Sequence, residues 1–277
     1  VNSANASVLE HIRDPKQFMS SAYMNFLSAT SSIQGQFDNA AALTTEKQCL
    51  CLRGMSLVYS RFCRHIGQFT EIEHIIKICD STKFRKLRYY AMDFISTLVN
   101  PENFEEESVK KIAKENAIQV AHHGGVQLLC DAVATIHESS NSLGQFNKDT
   151  KLITARNVQI EPKVWFYMES VESGFHEDPG QDISVVFEKK KKGPFKKREI
   201  RKLYQDGLIC ETSYMQRIGM KSPLFLASIR ELRWWCAEGI SPYQDREFAL
   251  KALIALKQIL TLCPAKDSEY GIQLLPL

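Results

Sequence analysis

The sequence predicts a mostly α-helical chain of stacked helices with a small α+β module let into the row. Three observations lead there. Apolar residues recur at helical spacing through most of positions 1–140 and again near the C-terminus. A polar stretch at 141–161, low in aromatics, then separates two textures and is assigned as a linker. After it come aromatic and β-branched runs bounded by turn formers, which are strand signals.

The elements follow in order. "TEKQCLCLRGMSLVYSRFCRHIG" opens with Thr45 and carries Gln48 three residues later, the spacing of a capping box. Cys51, Met55, Val58 and Phe62 lie on one expected face, and Gly67 falls where a left-handed C-cap belongs. "IEHIIKICD" is a shorter apolar helix. In "KLRYYAMDFISTLVNP", Leu87, Ala91, Phe94, Ile95 and Leu98 form a stripe that Asn100-Pro101 ends. "GGVQLLCDAVATIHES" repeats the pattern with Val126, Leu129, Ala132, Val133 and Ile136. Each helix has a wide apolar face that needs a neighbour. "HIIKICDS" and "GVQLLCDA" echo each other, both running through an apolar residue into Cys-Asp. With Gly-Gly-Val-x-x-Leu entering a helix, the echo predicts armadillo/HEAT-like helical repeats. A compact helical bundle is the alternative.

The module is expected at 162–235. "KVWFYMES" and "ISVVFE" are strand candidates around the turn formers "GFHEDPGQD". "KKREIRKLYQDG" is a helix with Ile200, Leu203 and Tyr204 on one face and Gly207 at its end. From 236 to 277 the helical repeats are expected to continue. There Leu250, Leu253, Leu256, Ile259 and Leu260 are the apolar positions, with Pro264 beyond the end.

Composition narrows the function. The chain has 277 residues, 44% hydrophobic and 24% charged, enough for one large core or two smaller ones. A net charge of +3 gives no global pull toward a polyanion. No apolar run reaches the roughly 18 residues that span a bilayer. The start, "VNSANASVLEHIRD", lacks a Met, a basic flank and an apolar stretch. It reads as a cut through a longer protein, not as a signal peptide. The eight cysteines are dispersed among apolar residues, which predicts reduced, buried thiols in a cytosolic setting. Cys49-Leu-Cys51 is assigned to core packing, because no second cysteine or histidine pair completes a zinc site.

No phosphate loop, GxSxG elbow or HExxH helix is present. His122-His123 is assigned to a helix-entry loop, since adjacent side chains diverge. Triples such as Cys63, His65 and Glu71 arise by chance in any chain with seven histidines. No catalytic residue, metal or cofactor is expected, and the chain is not expected to be an enzyme.

The basic run "EKKKKGPFKKREIRK" has several readings. It is placed between a strand and a helix, with a tight turn at Gly193-Pro194 and Phe195 as a buried anchor. Lys196, Lys197, Arg198, Arg201 and Lys202 fall largely off the Ile200/Leu203/Tyr204 stripe, which predicts a solvated surface. A second reading is contact with anionic lipid through Lys189, Lys190, Lys191, Lys192, Lys196 and Lys197. Nucleic acid is disfavoured for want of interleaved stacking aromatics. A nuclear import tag is the last reading.

Trp165-Phe166-Tyr167, Gly193-Pro194-Phe195, Ile200, Leu203 and Gly207-Leu208-Ile209 follow a known frame. It is W-x-Y, then G-P-F-x-x-x-x-M/V-x-x-W-x-x-x-G-Y-F, the frame of a GYF domain, which this module resembles. "GMKSPLFLASIRELRW" is similar to the tail GMxGWxPLxxIPxLxW of a GYF-like variant. That variant occurs in the receptor-mediated-endocytosis J-domain co-chaperone family. "DPKQFMSSAYMNFL", the Glu46–Asp80 stretch and "HHGGVQLLCDAVATIHES" resemble its repeat region. "AKDSEYGIQLLPL" resembles the segment that follows, so the resemblance runs from Asp14 to Leu277.

The resemblance implies a scaffold with armadillo/HEAT-like repeats on the cytosolic face of early endosomes. It implies cargo sorting with retromer-associated sorting nexins, and with Hsp70 through a J-domain outside this segment. No nucleic-acid partner is expected. A GYF domain grips proline-rich peptide on aromatic rings, and Trp165, Tyr167, Phe195 and Tyr204 are the candidate peptide-binding residues here. Leu203 stands where the family's helix Trp would be, and Leu208-Ile209 replace Tyr-Phe.

Overall fold

The computed structural model describes residues 9, 11–31, 38–142, 163–176, 184–237 and 245–263. The elements are α1 (Pro15–Ser31), α2 (Asp38–Ile66), α3 (Ile72–Ser81), α4 (Arg85–Val99), α5 (Glu107–His122) and α6 (Gly125–Ser142). Then come β1 (Trp165–His176), β2 (Ser184–Phe195), α7 (Lys197–Gln205), β3 (Tyr214–Arg217), β4 (Leu224–Phe225), α8 (Arg230–Trp235) and α9 (Asp245–Leu262). They fall into two compact units, one drawn from Val1–His137 and Glu238–Leu277, the other from Glu138–Ala237. The expected linker, 141–161, lies outside the described residues after Ser142.

In the helical unit, α4 packs against α2, α3, α5 and α9. Its stripe of Leu87, Ala91, Phe94, Ile95 and Leu98 is buried as the spacing predicts. So are Arg88, Tyr89, Tyr90 and Met92, because partners surround the helix on several sides. The Arg88 guanidinium donates to the Thr82 carbonyl, 2.6 Å away, just past the end of α3. Helix C-termini favour cations in this way.

Asn116 on α5 is fully buried. Its amide nitrogen donates to Tyr59 Oη at 2.7 Å and to the Leu98 carbonyl at 2.9 Å. Its oxygen accepts from the Phe69 backbone N–H at 3.1 Å. Tyr59 Oη donates onward to the Gly67 carbonyl at 2.9 Å. One side chain thus ties together α2, α4, α5 and the α2–α3 connection. Gly67 has φ +84° and its N–H reaches the Cys63 carbonyl, 2.8 Å away, as a C-cap should.

Two expectations for this unit change. The helix holding Thr45 begins at Asp38, so Thr45 and Gln48 are buried inside α2 and do not cap it. Its core face is Cys49, Leu52, Met55, Val58, Tyr59 and Cys63, while Cys51 and Phe62 are half-buried. Phe62 departs from helical backbone (φ −112°, ψ 19°), which turns the last residues of α2 away from a regular stripe.

The second change concerns α9. Its buried side is Phe248, Ala252, Ala255 and Ile259, while Leu250, Leu253 and Leu260 are exposed. Both sides of this helix are apolar, and contacts choose between them. Phe248 meets Tyr89 at 4.4 Å between ring centres. Lys251 pairs with Asp93, and Gln258 donates to Asn100 Oδ1 at 2.9 Å. The alanines let α9 approach α4 and α5 closely. The internal echo also stops short of matching environments: Cys79 is buried and Cys130 exposed.

The second unit holds an antiparallel sheet in the order β2-β1-β3-β4. Trp165 pairs with Phe195 on one side and Arg217 on the other. Trp165, Tyr167, Ile200, Ile209, Met215, Leu226, Leu232 and Cys236 form its core, with Phe195, Leu203 and Tyr204 packed against it. Fully burying a side chain of this kind stabilises by about 1.5–3 kcal/mol. Helix α7 ends in a Schellman motif, with Gly207 N–H bonded to the Tyr204 carbonyl and Leu208 N–H to that of Leu203. Gly207 has the φ of +72° this requires. A Cβ on Gly193 would lie 2.7 Å from the Trp165 carbonyl oxygen, so the strand pair closes only over a glycine.

Candidate functional site

The sheet unit carries every candidate site residue that the sequence singles out. The four aromatic candidates come together, but in its interior. Trp165 and Tyr167 point from one face of β1 into the core, with 2% and 9% of their surface exposed. Phe195 stacks on Tyr167 with ring centres 5.7 Å apart. Tyr204 is half-buried against the same cluster and donates to Glu211 Oε1 at 2.6 Å. Arg217 lies over the Trp165 ring, 5.8 Å from its centre. The rings are therefore spent on packing more than on display.

Beside them runs a shallow groove of about 330 Å³, lined by Tyr167, Glu169, Leu208, Thr212 and Tyr214 among others. Leu208 is 65% exposed there. On the sheet's far edge Tyr214 and Phe225 stack at 4.4 Å, and Leu224 and Phe225 are exposed. The strands β3 and β4 were not foreseen from the sequence. They are four and two residues long, too short for a period-two signal.

The run Lys189–Lys192 does not lie between a strand and a helix. Lys189, Lys190, Lys191 and Lys192 belong to β2 itself, paired with Ser170, Glu169, Met168 and Tyr167 of β1. Successive strand residues face opposite ways, and the amines follow. Lys191 crosses the sheet to Gln216 Oε1 at 3.0 Å, with its ammonium 4.0 Å from the Phe166 ring centre. Lys192 pairs with Glu169 at 2.6 Å, and that bond raises the lysine pKa above its ordinary value. Lys190 is exposed.

Lys196 precedes α7, and its N–H is bonded by Glu199 Oε2 at 2.8 Å. Lys197 overturns the solvated-surface expectation. It is 8% exposed and ion-paired with Glu231 of α8. Its ammonium also lies 5.7 Å from the Trp235 ring centre, and Glu231 takes a second cation, Arg217, at 3.5 Å. A helix wheel alone could not show this, because Glu231 comes from a distant stretch of chain.

Four of the eight thiols depart from the expected burial, Cys51 and Cys263 being half-buried. Cys130 and Cys210 are exposed. Burial pushes Cys49 up to about 12 and raises Cys51 and Cys130. Cys210 goes the other way. Hydrogen bonds with the hydroxyls of Thr212 and Ser213 hold its thiol below the usual range. Among the described residues no group of three His, Cys, Asp or Glu could hold a metal ion. No described helix is long and apolar enough to cross a membrane.

No protein-family model matches the chain, and no solved structure matches it. The chain is similar to the DnaJ homolog subfamily C protein GRV2 of Arabidopsis thaliana, 28% identical over 207 residues. That match covers 74% of this chain and 7% of the relative, so the chain spans a small part of the curated protein it resembles.

Proposed function

We propose that this chain is a non-catalytic scaffold segment of an endosomal J-domain co-chaperone, mediating protein–protein contacts in cargo sorting. In this reading the helical unit is a block of armadillo/HEAT-like repeats, and the sheet unit is a GYF-like module. The observation that carries it is the similarity to a DnaJ homolog across three quarters of the chain. A unit of packed helices and a separate small sheet unit support it, with Trp165, Phe195 and Ile200 gathered in the core of the latter. The His-Pro-Asp signature of a J-domain is absent from this sequence. Contact with Hsp70 would come from a J-domain elsewhere in the protein. Sorting nexins and the retromer machinery would be partners of the whole protein, at the cytosolic face of early endosomes.

The test is fractionation and imaging of the endogenous full-length protein. It should co-sediment and co-localise with early endosomes, and Hsp70 should co-purify with it. A diffuse protein that never meets the endosomal fraction ends this reading.

Binding of proline-rich peptides is the weaker alternative. The exposed groove beside Tyr167 and Leu208 favours it, but the rings that would stack on proline are largely enclosed. Titration with Pro-Pro-Gly peptides, followed through tryptophan fluorescence, decides it: no saturable change at millimolar peptide removes it.

A further inference from the structure

The outer edge of β2 has a shape and a charge that the scaffold reading does not use. Among the described residues, in the order β2-β1-β3-β4, β2 is an edge strand with β1 as its neighbour. It is 12 residues long, against two in β4 at the opposite edge. A long edge offers unpaired backbone groups to any passing strand. Here four successive lysines, Lys189–Lys192, occupy it.

We propose that this edge docks an extended acidic segment of a partner protein, added to the sheet as a further strand. Backbone pairing would supply the contact, and the lysines would choose the partner. A second copy of the same edge is rejected, since antiparallel pairing would set lysine against lysine. A strand carrying consecutive carboxylates is accepted. Specificity thus comes from a repulsive and an attractive element on the same residues.

The placement of the amines favours a strand over a lipid surface. Lys191 leans to the Phe166 and Gln216 face, and Lys192 to the Glu169 face. Both faces of the sheet next to this edge therefore carry an amine, each drawn inward over β1. An incoming strand also projects side chains to both sides, whereas a membrane plane meets one. Lys197, which would extend the patch, is enclosed with Glu231.

The experiment uses the full 277-residue chain and a labelled peptide, Thr-Val-Glu-Glu-Glu-Val-Thr. Controls are the same peptide N-methylated at alternate residues and a version with Lys for Glu. Binding is read by fluorescence polarisation and by hydrogen exchange of the segment Ser184–Phe195. The acidic peptide should bind and slow exchange in β2, and the two controls should not. Lys190→Glu should weaken binding by about fivefold or more, and Lys190→Met by less. Because Lys190 is exposed, circular dichroism should match between variants and parent. Equal binding of the N-methylated peptide, protection outside β2, or no saturable binding overturns the proposal. So does tighter binding to phosphatidylserine vesicles than to the peptide, which would assign the lysines to a lipid surface.

Discussion

Asn116 in the helical unit and Lys197 in the sheet unit are the most enclosed polar side chains of their respective units among the described residues. They are satisfied by different means. Asn116 is neutral and uses both amide hydrogens and its oxygen in three bonds to Tyr59, Leu98 and Phe69. Lys197 is a charge held by one carboxylate that it shares with Arg217, beside an indole ring. A neutral network that is fully bonded adds order at little desolvation cost, whereas a buried ion pair roughly offsets its own desolvation. The helical unit should thus depend on its polar node more than the sheet unit does on its own.

Asn116→Leu should have the largest effect. It strands the Phe69 N–H and the Leu98 carbonyl in the core, at a cost of about 4 kcal/mol. A urea midpoint for loss of helical signal measures it, and a shift below a quarter of that would show the node to be dispensable. Lys197→Ala comes next. It leaves Glu231 half-enclosed with Arg217 alone, costing about 2 kcal/mol. The pair Lys197→Met with Glu231→Leu should recover most of the loss. If the double variant is worse than the single, the ion pair is a net stabiliser and the contrast between the units fails.

Acidification sharpens the same contrast. His74 in α3 accepts from or donates to Tyr23 of α1 at 3.0 Å, and Phe26 packs edge-on against its ring. Burial lowers its pKa, with Glu71 pulling the other way. The folded chain therefore binds this proton less readily than the unfolded one. Stability is complete above about pH 6.5 and falls as the pH drops below it. Urea midpoints at neutral and mildly acidic pH should differ for the helical unit, and less so in His74→Gln. An unchanged difference in that variant would assign the effect to another group.

The smallest expected effect concerns the two exposed thiols, one in each unit. Iodoacetamide at neutral pH should label Cys210 several-fold faster than Cys130, because thiolate is the reactive form. Peptide mapping after brief labelling reads the order. Thr212→Val with Ser213→Ala should slow Cys210.

Much of this was legible in the sequence because it is local. The α4 stripe and the glycine ends at Gly67 and Gly207 each depend on a few residues at fixed spacing. What was misread depended on distant partners. Thr45 and Gln48 have the spacing of a helix start, yet lie inside a helix begun earlier. The lysines of 189–192 looked like a turn because nothing local shows that β1 continues far enough to pair with them.

The sequence by itself determined the segments α2, α3, α4, α6, β1, β2, α7 and α9 and their order, since period, caps and turn residues act within a few positions of chain. Tertiary structure decided which apolar face of α9 turns inward, that Lys197 is enclosed, and that Asn116 joins three elements. Those outcomes turn on contacts between residues far apart in the chain, where two arrangements of similar local energy are separated only by what each meets when packed.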